Sequence, residues 1–303
     1  MDRVPEIELR GICAVRGDFE VLRGVDLRLA SGEVLFAMGG AGSGKSVLIK
    51  TAAGIALPAE GEVLYRGKSL ARLSAREEAA FRKASGFVFQ DAALWSNLSL
   101  FDILALPARL HEPQWGKAEV ERAVRRAVEL VGYDQDLRAR PAELSTGERK
   151  LIGLARALVL DPELLFMDDP TSSLDESSVA RVADIVDALK ARGRSVLIAS
   201  AASEFASRCA DTVAVILGGS VAARGAYAEA AAWTDPRVRG VTGRLKARAA
   251  AAPDWEGGLA GAWVEAIAAD SAMAAATGSP ADPGDGSTLG DLINDTSEGE
   301  DEA

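Results

Sequence analysis

Residues 33–54 read EVLFAMGGAGSGKSVLIKTAAG, and this stretch decides the fold. Residues 33–38 are a short apolar run, the pattern of a strand buried on both faces. Residues 47–54 read as helix. Between them, GGAGSGKS (residues 39–46) fits G-x-x-x-x-G-K-[S/T] in the strand-before, helix-after setting that the motif requires. Its glycines let the backbone fold around phosphates so that N–H groups point inward. Gly39, Gly40, Ala41, Gly42, Ser43, Gly44 and Val47 would form that cradle. Lys45 would neutralise the β- and γ-phosphates, and the Ser46 hydroxyl would ligate Mg²⁺.

A second apolar run, LLFMDDP (residues 164–170), ends in two acids. A buried strand of this kind delivers its acidic residue to the C-terminal edge of a parallel sheet, where Asp168 can reach the metal. Around these two runs the chain alternates. Residues 6–10, 21–30 and 61–66 read as strands, with a turn at Ser31–Gly32. Residues 74–83 and 117–131 have helical spacing, the latter with Val120, Ala123, Val124, Ala127, Val128 and Val131 on one side. Residues 87–90 read as strand, and 91–110 as an apolar, turn-rich stretch. Helix is expected over 148–160 and 179–192, and strand over 195–200 and 211–217. Strands alternating with helices predict a mainly parallel sheet covered on both faces.

Composition excludes several classes. The net charge is −11 over 303 residues. Residues 251–303 hold seven Asp, five Glu and no Lys or Arg, so they carry −12 and the rest of the chain +1. A nearly neutral body is not that of a broadly basic nucleic-acid binder, so no nucleic-acid partner is expected. Cys13 and Cys209 make no disulfide framework and no metal-ligand spacing, and His111 is the single histidine. No run approaches the roughly 18 apolar residues of a membrane span, and residues 1–10 lack the apolar core of a signal peptide. A reducing compartment is the expectation. From about residue 249, Ala, Gly, Ser, Asp and Pro dominate, as in disordered segments. Within that tail Trp255, Leu259, Trp263 and Ile267 recur every four residues and would share one helical stripe, a candidate dock for a small partner.

Between the phosphate loop and the second acidic run stands LSTGERK (residues 144–150); SSLD (172–175) follows, and Gln90 lies about midway. This ordered set resembles the ATPase subunits of ABC transporters, over roughly residues 5–225. The resemblance implies a RecA-like α/β core (1–90 and 145–225) with a small antiparallel β region. It also implies a helical subdomain (91–144) and a C-terminal extension (226–250) before the acidic tail. It implies a head-to-tail dimer, homo- or heteromeric, with ATP between the phosphate loop of one subunit and Ser145 and Gly147 of the other. Gln90 would serve Mg²⁺ and the attacking water beside Ser46 and Asp168. Asp169 would be the base, and Lys45 would act on the phosphates. A finer similarity, in FQDAALWSNLSLFDILALPARLHEP (89–113) and TDPRVRG (234–240), is to the ATPases of MCE-type phospholipid transport systems. It implies membrane permease partners docking on residues 91–110 and a place on the cytoplasmic face of the inner membrane.

The chain departs from the family pattern at four places. Asp169 stands where a glutamate is usual, one methylene shorter. Ala201 stands where a histidine contacts the γ-phosphate. Ala14 and Val15 occupy the place of an adenine-stacking aromatic. Thr146 and Glu148 alter the trans-acting segment, and Glu148 brings a negative charge near the phosphate. These departures lead to an expectation of ATP binding with slow hydrolysis. The alternatives are a nonhydrolysing regulatory subunit paired with an active ATPase and, further off, a soluble ABC protein working on DNA or ribosomes.

Overall fold

The structure, a computed structural model, describes residues 4–230 and 232–245. The acidic tail and the Trp255–Ile267 stripe lie outside the described residues. In chain order the strands are β1 (Ile7–Arg16), β2 (Phe19–Leu29), β3 (Val34–Met38), β4 (Glu60–Tyr65), β5 (Lys68–Ser69), β6 (Ser85–Val88), β7 (Leu164–Asp168), β8 (Ser195–Ala199), β9 (Thr212–Leu217) and β10 (Ser220–Ala226). The α-helices are α1 (Lys45–Ala52), α2 (Ala75–Ala84), α3 (Leu100–His111), α4 (Lys117–Val131), α5 (Thr146–Leu158), α6 (Glu176–Ala191), α7 (Ser203–Cys209), α8 (Tyr227–Ala230) and α9 (Pro236–Thr242).

Two sheets form. The first is antiparallel, in the order β2-β1-β4-β5, and the second runs β10-β9-β3-β8-β7-β6. In the second sheet β9, β3, β8, β7 and β6 are parallel, and β10 closes one edge antiparallel. Every residue of β3, β7 and β8 is buried, which is why these strands read as unbroken apolar runs. α1 follows β3 and packs between the sheets through Leu48, Ile49 and Ala52, all fully buried in one core with Leu22, Leu35, Phe166 and Leu197. Full burial of each such Leu or Ile contributes about 1.5–3 kcal/mol. The expected α/β core of an ABC ATPase, with its small antiparallel region, is the observed architecture.

The apolar stripe expected on residues 117–131 is buried in α4 at every named position. Elsewhere the boundaries move. Residues 87–90 were expected as strand, but β6 ends at Val88 and Gln90 lies in a turn. There Ala92 and Ala93 adopt positive φ (63° and 47°), and Arg156 of α5 donates to both of their carbonyl oxygens, at 2.9 and 2.6 Å. Residues 91–110 are turn-rich only as far as Ser99. Its hydroxyl accepts the Asp102 N–H and starts α3, which runs through Pro107. α5 and α6 begin two and three residues earlier than expected, at the caps Ser145 and Asp175. The sequence pattern does not mark β10 and α7–α9, which are short or half exposed.

Candidate functional site

β3 delivers the chain to the phosphate loop at the C-terminal edge of the parallel sheet, and two glycines make the loop's path possible. A Cβ on Gly39 would lie 2.5 Å from the Ile216 carbonyl oxygen of β9. Gly44 has φ of 100°, and a Cβ there would meet the Val21 carbonyl oxygen at 2.9 Å. Gly44 is also the N-cap of α1 and offers no side chain to its first-turn N–H groups. Those donors and the positive helix end are thus open to an anion. The Lys45 ammonium lies across the loop and donates to the carbonyl oxygens of Gly39 and Gly40, both at 2.8 Å, and to Ser43 Oγ at 3.4 Å. Burial lowers its pKa, against the pull of Asp169 and Asp168.

Ser46, on the first turn of α1, donates through Oγ to Asp168 Oδ1 at 2.8 Å. Asp168 ends β7, is 2 % exposed, and its Oδ2 has no hydrogen-bond partner among the described residues. Burial raises the Asp168 pKa, and the Ser46 hydroxyl works against that rise. A buried carboxylate oxygen left without a partner is costly unless a ligand completes it. A hydroxyl and a carboxylate beside a phosphate cradle are the hard oxygen donors that Mg²⁺ takes, with phosphate oxygens filling its shell. The residues present fit that ion.

Asp169 follows with φ of 48°, its N–H bonded to the Ala199 carbonyl oxygen at 2.8 Å. Its Oδ1 accepts a hydrogen bond from Ser200 Oγ at 3.2 Å. The Lys150 ammonium, from α5, donates to the Asp169 carbonyl oxygen at 2.8 Å and also to Ser172 Oγ. Lys150 is buried; desolvation lowers its pKa, with Asp169 and Asp168 opposing. Ser200 fits no motif, and Lys150 closes the LSTGERK stretch with no role expected there; the packing of α5 and β8 against the end of β7 reveals their contacts.

The other expected residues lie around this centre. Gln90 lines a cleft of about 470 Å³ with Asp91, Thr146, Arg149 and Lys150. Among the described residues it bonds to neither Ser46 nor Asp168. Ser145 and Gly147 stand at the N-terminus of α5, and no hydrogen bond joins them to residues 39–46. A Cβ on Gly147 would lie 3.3 Å from the Ser173 carbonyl oxygen. Glu148 turns back on its own helix, where its carboxylate accepts the Ser145 N–H at 2.8 Å and the Gln135 amide at 2.9 Å. These bonds, led by those to Ser145, lower its pKa. Its charge is therefore engaged in a capping box. Ala201 is exposed and presents only a methyl; Ala14 is buried, and Val15 is 61 % exposed on the surface of β1.

Comparison with known proteins agrees with this geometry. The ABC transporter family profile matches residues 22–172. The probable ribonucleotide transport ATP-binding protein mkl of Mycobacterium leprae is 36 % identical over 180 residues, 59 % of this chain and 52 % of mkl. The chain thus spans about half the length of the mkl relatives it matches. The nickel import ATP-binding protein NikO of Rhodobacter capsulatus is 35 % identical over 238 residues, 76 % of this chain and 92 % of NikO. In fold, a dimeric ATP-binding cassette in a post-hydrolysis state bound to ADP and Pi superposes with a TM-score of 0.68 at 22 % identity, covering 73 % of this chain and 98 % of that one. The cbiO1 protein of Clostridium perfringens, part of the ABC transporter complex cbiONQ, does so with 0.64 at 27 % identity, covering 80 % and 96 %. With the phosphate loop, the Ser46–Asp168 pair and the Ser145 cap in family order, the chain belongs to the ATP-binding subunits of ABC transporters.

Proposed function

We propose that this chain hydrolyses MgATP as one half of a head-to-tail dimer and drives lipid movement through an MCE-type permease. The observation that carries the ATPase reading is the Ser46–Asp168 contact, with the second Asp168 oxygen unpartnered beside Lys45. Lys45 and the backbone of residues 39–47 hold the phosphates. Ser46 and Asp168 would hold Mg²⁺, which would neutralise phosphate charge, and Gln90 would serve the metal and the attacking water. Asp169 orients a water and accepts its proton as the water oxygen bonds to the γ-phosphorus, and the bond from that phosphorus to the ADP oxygen breaks. Ser145 and Gly147 offer a helix N-terminus to the nucleotide of the second subunit. The adjacent capping box ties the Glu148 carboxylate to the Ser145 N–H.

The permease reading rests on the sequence likeness of residues 89–113 and 234–240, and on a groove of about 380 Å³ beside α3. Phe87, Phe89, Trp95, Leu106 and Leu110 line it, and Trp95 and Leu110 are 48 % and 54 % exposed. An apolar groove of that size suits a short helix of a membrane subunit. No helix among the described residues is long and apolar enough to cross a membrane, so membrane association would come through such a partner.

A second reading has two residues in its favour. Asp169 is short for a base, and Ala201 offers the γ-phosphate no hydrogen bond. On this reading the chain binds ATP and closes, while a better-equipped partner subunit hydrolyses. ATP turnover by the full chain, alone and in its native membrane complex, separates the two. Turnover in the complex that Lys45→Ala abolishes supports the motor. Tight ATP binding without turnover in either setting supports the regulator.

A further inference from the structure

Asp169 has an orientation problem that its neighbours solve. Its side chain is one methylene shorter than glutamate, and Ala201, two residues past the end of β8, supplies no polar group. A short carboxylate can direct a water only if its rotamer is held. The register of β7 on β8 pairs Asp168 with Ala199, so one step further Asp169 lies beside Ser200. Ser200 is completely buried. Its Oγ accepts the Ala202 N–H at 3.1 Å, which leaves its own proton to donate to Asp169 Oδ1 at 3.2 Å. Among the described residues this hydroxyl is the hydrogen-bond partner of the Asp169 carboxylate. The backbone beneath is fixed from both sides, by Ala199 on the N–H and by Lys150 on the carbonyl oxygen. The positive φ of Asp169, which aspartate tolerates better than most side chains, aims it out of the strand.

We infer that Ser200 is a positioning residue for hydrolysis: its hydroxyl holds one oxygen of the Asp169 carboxylate and leaves Oδ2 to face water. The inference rests on the reading of the chain as an ATPase with Asp169 as base. It predicts that Ser200 acts on kcat through Asp169 and leaves nucleotide affinity alone.

The test is steady-state MgATP hydrolysis by the full chain in its membrane complex, with the affinity of a fluorescent ATP analogue measured separately. The variants are Ser200→Ala, Ser200→Cys, Ser200→Thr, Asp169→Asn and the Ser200→Ala/Asp169→Asn double. Ser200→Ala is expected to lower kcat on the order of 10–100-fold, with KM and analogue affinity within twofold. Ser200→Thr, which keeps the donor, recovers most of the rate. Ser200→Cys, near in shape but a weak donor, follows Ser200→Ala and guards against a loss caused by the cavity alone. The double variant is no slower than Asp169→Asn. If Asp169→Asn abolishes turnover while Ser200→Ala and Ser200→Cys stay within twofold of the unsubstituted chain, the inference falls and the ATPase reading stands. A loss appearing in KM, or one that multiplies in the double variant, also overturns it. Full turnover by Asp169→Asn, or none by the unsubstituted chain, overturns the reading of Asp169 and this inference together.

Discussion

Gly44→Ala would place a methyl group 2.9 Å from the Val21 carbonyl oxygen and 2.9 Å from Leu22 Cδ2, at a φ of 100°. Neither neighbour is free to retreat, since one is backbone of β2 and the other is buried in the core. The strain should cost on the order of 1–3 kcal/mol, and it falls on the loop that must wrap the phosphates. Urea unfolding should show a lower midpoint, and ATP affinity should fall further than stability alone explains. The same substitution at Gly40, where a Cβ meets nothing within 4 Å, serves as the control. Unchanged ATP affinity in Gly44→Ala would mean that the loop does not bind phosphate in the conformation seen here.

At the scale of elements, α5 links three parts of the site. Its N-terminus carries Ser145 and Gly147, its next turn sends Lys150 to the Asp169 carbonyl oxygen, and its last turn sends Arg156 to the loop after Gln90. The Arg156 guanidinium also lies over the rings of Phe89 and Trp95, at 5.8 and 5.7 Å from their centroids. Two backbone carbonyls at left-handed residues and two rings depend on one side chain. Arg156→Ala should therefore loosen residues 89–99 without unfolding the chain. Hydrogen exchange should rise in that segment and remain unchanged in β3 and β8. Binding to the membrane complex should weaken, because Trp95 lines the apolar groove. Equal protection of residues 89–99 in both proteins would remove Arg156 from this role.

At the scale of the whole molecule, the proposed function makes the described residues one half of a composite site. The phosphate loop, Ser46 and Asp168 converge, whereas among the described residues no hydrogen bond joins Ser145 or Gly147 to them. A second copy or a related subunit would complete the arrangement. Asp169→Asn with MgATP is expected to accumulate as a dimer, because closure no longer ends in hydrolysis, while Lys45→Ala stays monomeric. Light scattering at matched concentrations measures both. A monomeric Asp169→Asn protein at saturating MgATP would argue that the completing subunit is a different chain.

How much could be read beforehand differs from residue to residue. The run from residue 33 to residue 54 determined a buried strand, a phosphate loop and a helix, because backbone chemistry at Gly39, Gly44, Lys45 and Ser46 is local in sequence. Asp168 was legible for the same reason, as the end of an apolar run. The amphipathic face of α4 followed from its period of 3.6 residues. Gln90 was legible as a residue but not as a turn, since the positive φ at Ala92 and Ala93 is held by Arg156, 63 and 64 positions away in sequence. The capping box of Ser145 and Glu148 was legible from their spacing of three, and the structure shows it, with the Glu148 carboxylate on the Ser145 N–H. Ser200 and Lys150 belong to tertiary structure alone. A serine just past a strand and the lysine that closes LSTGERK do not point to Asp169 by themselves, and they meet it only where β8 and α5 pack against it. Sequence therefore determined the groups proposed to hold phosphate and metal, which sit in two short runs of backbone. The fold decided which side chains hold those groups in place, because such contacts join residues that only packing brings together.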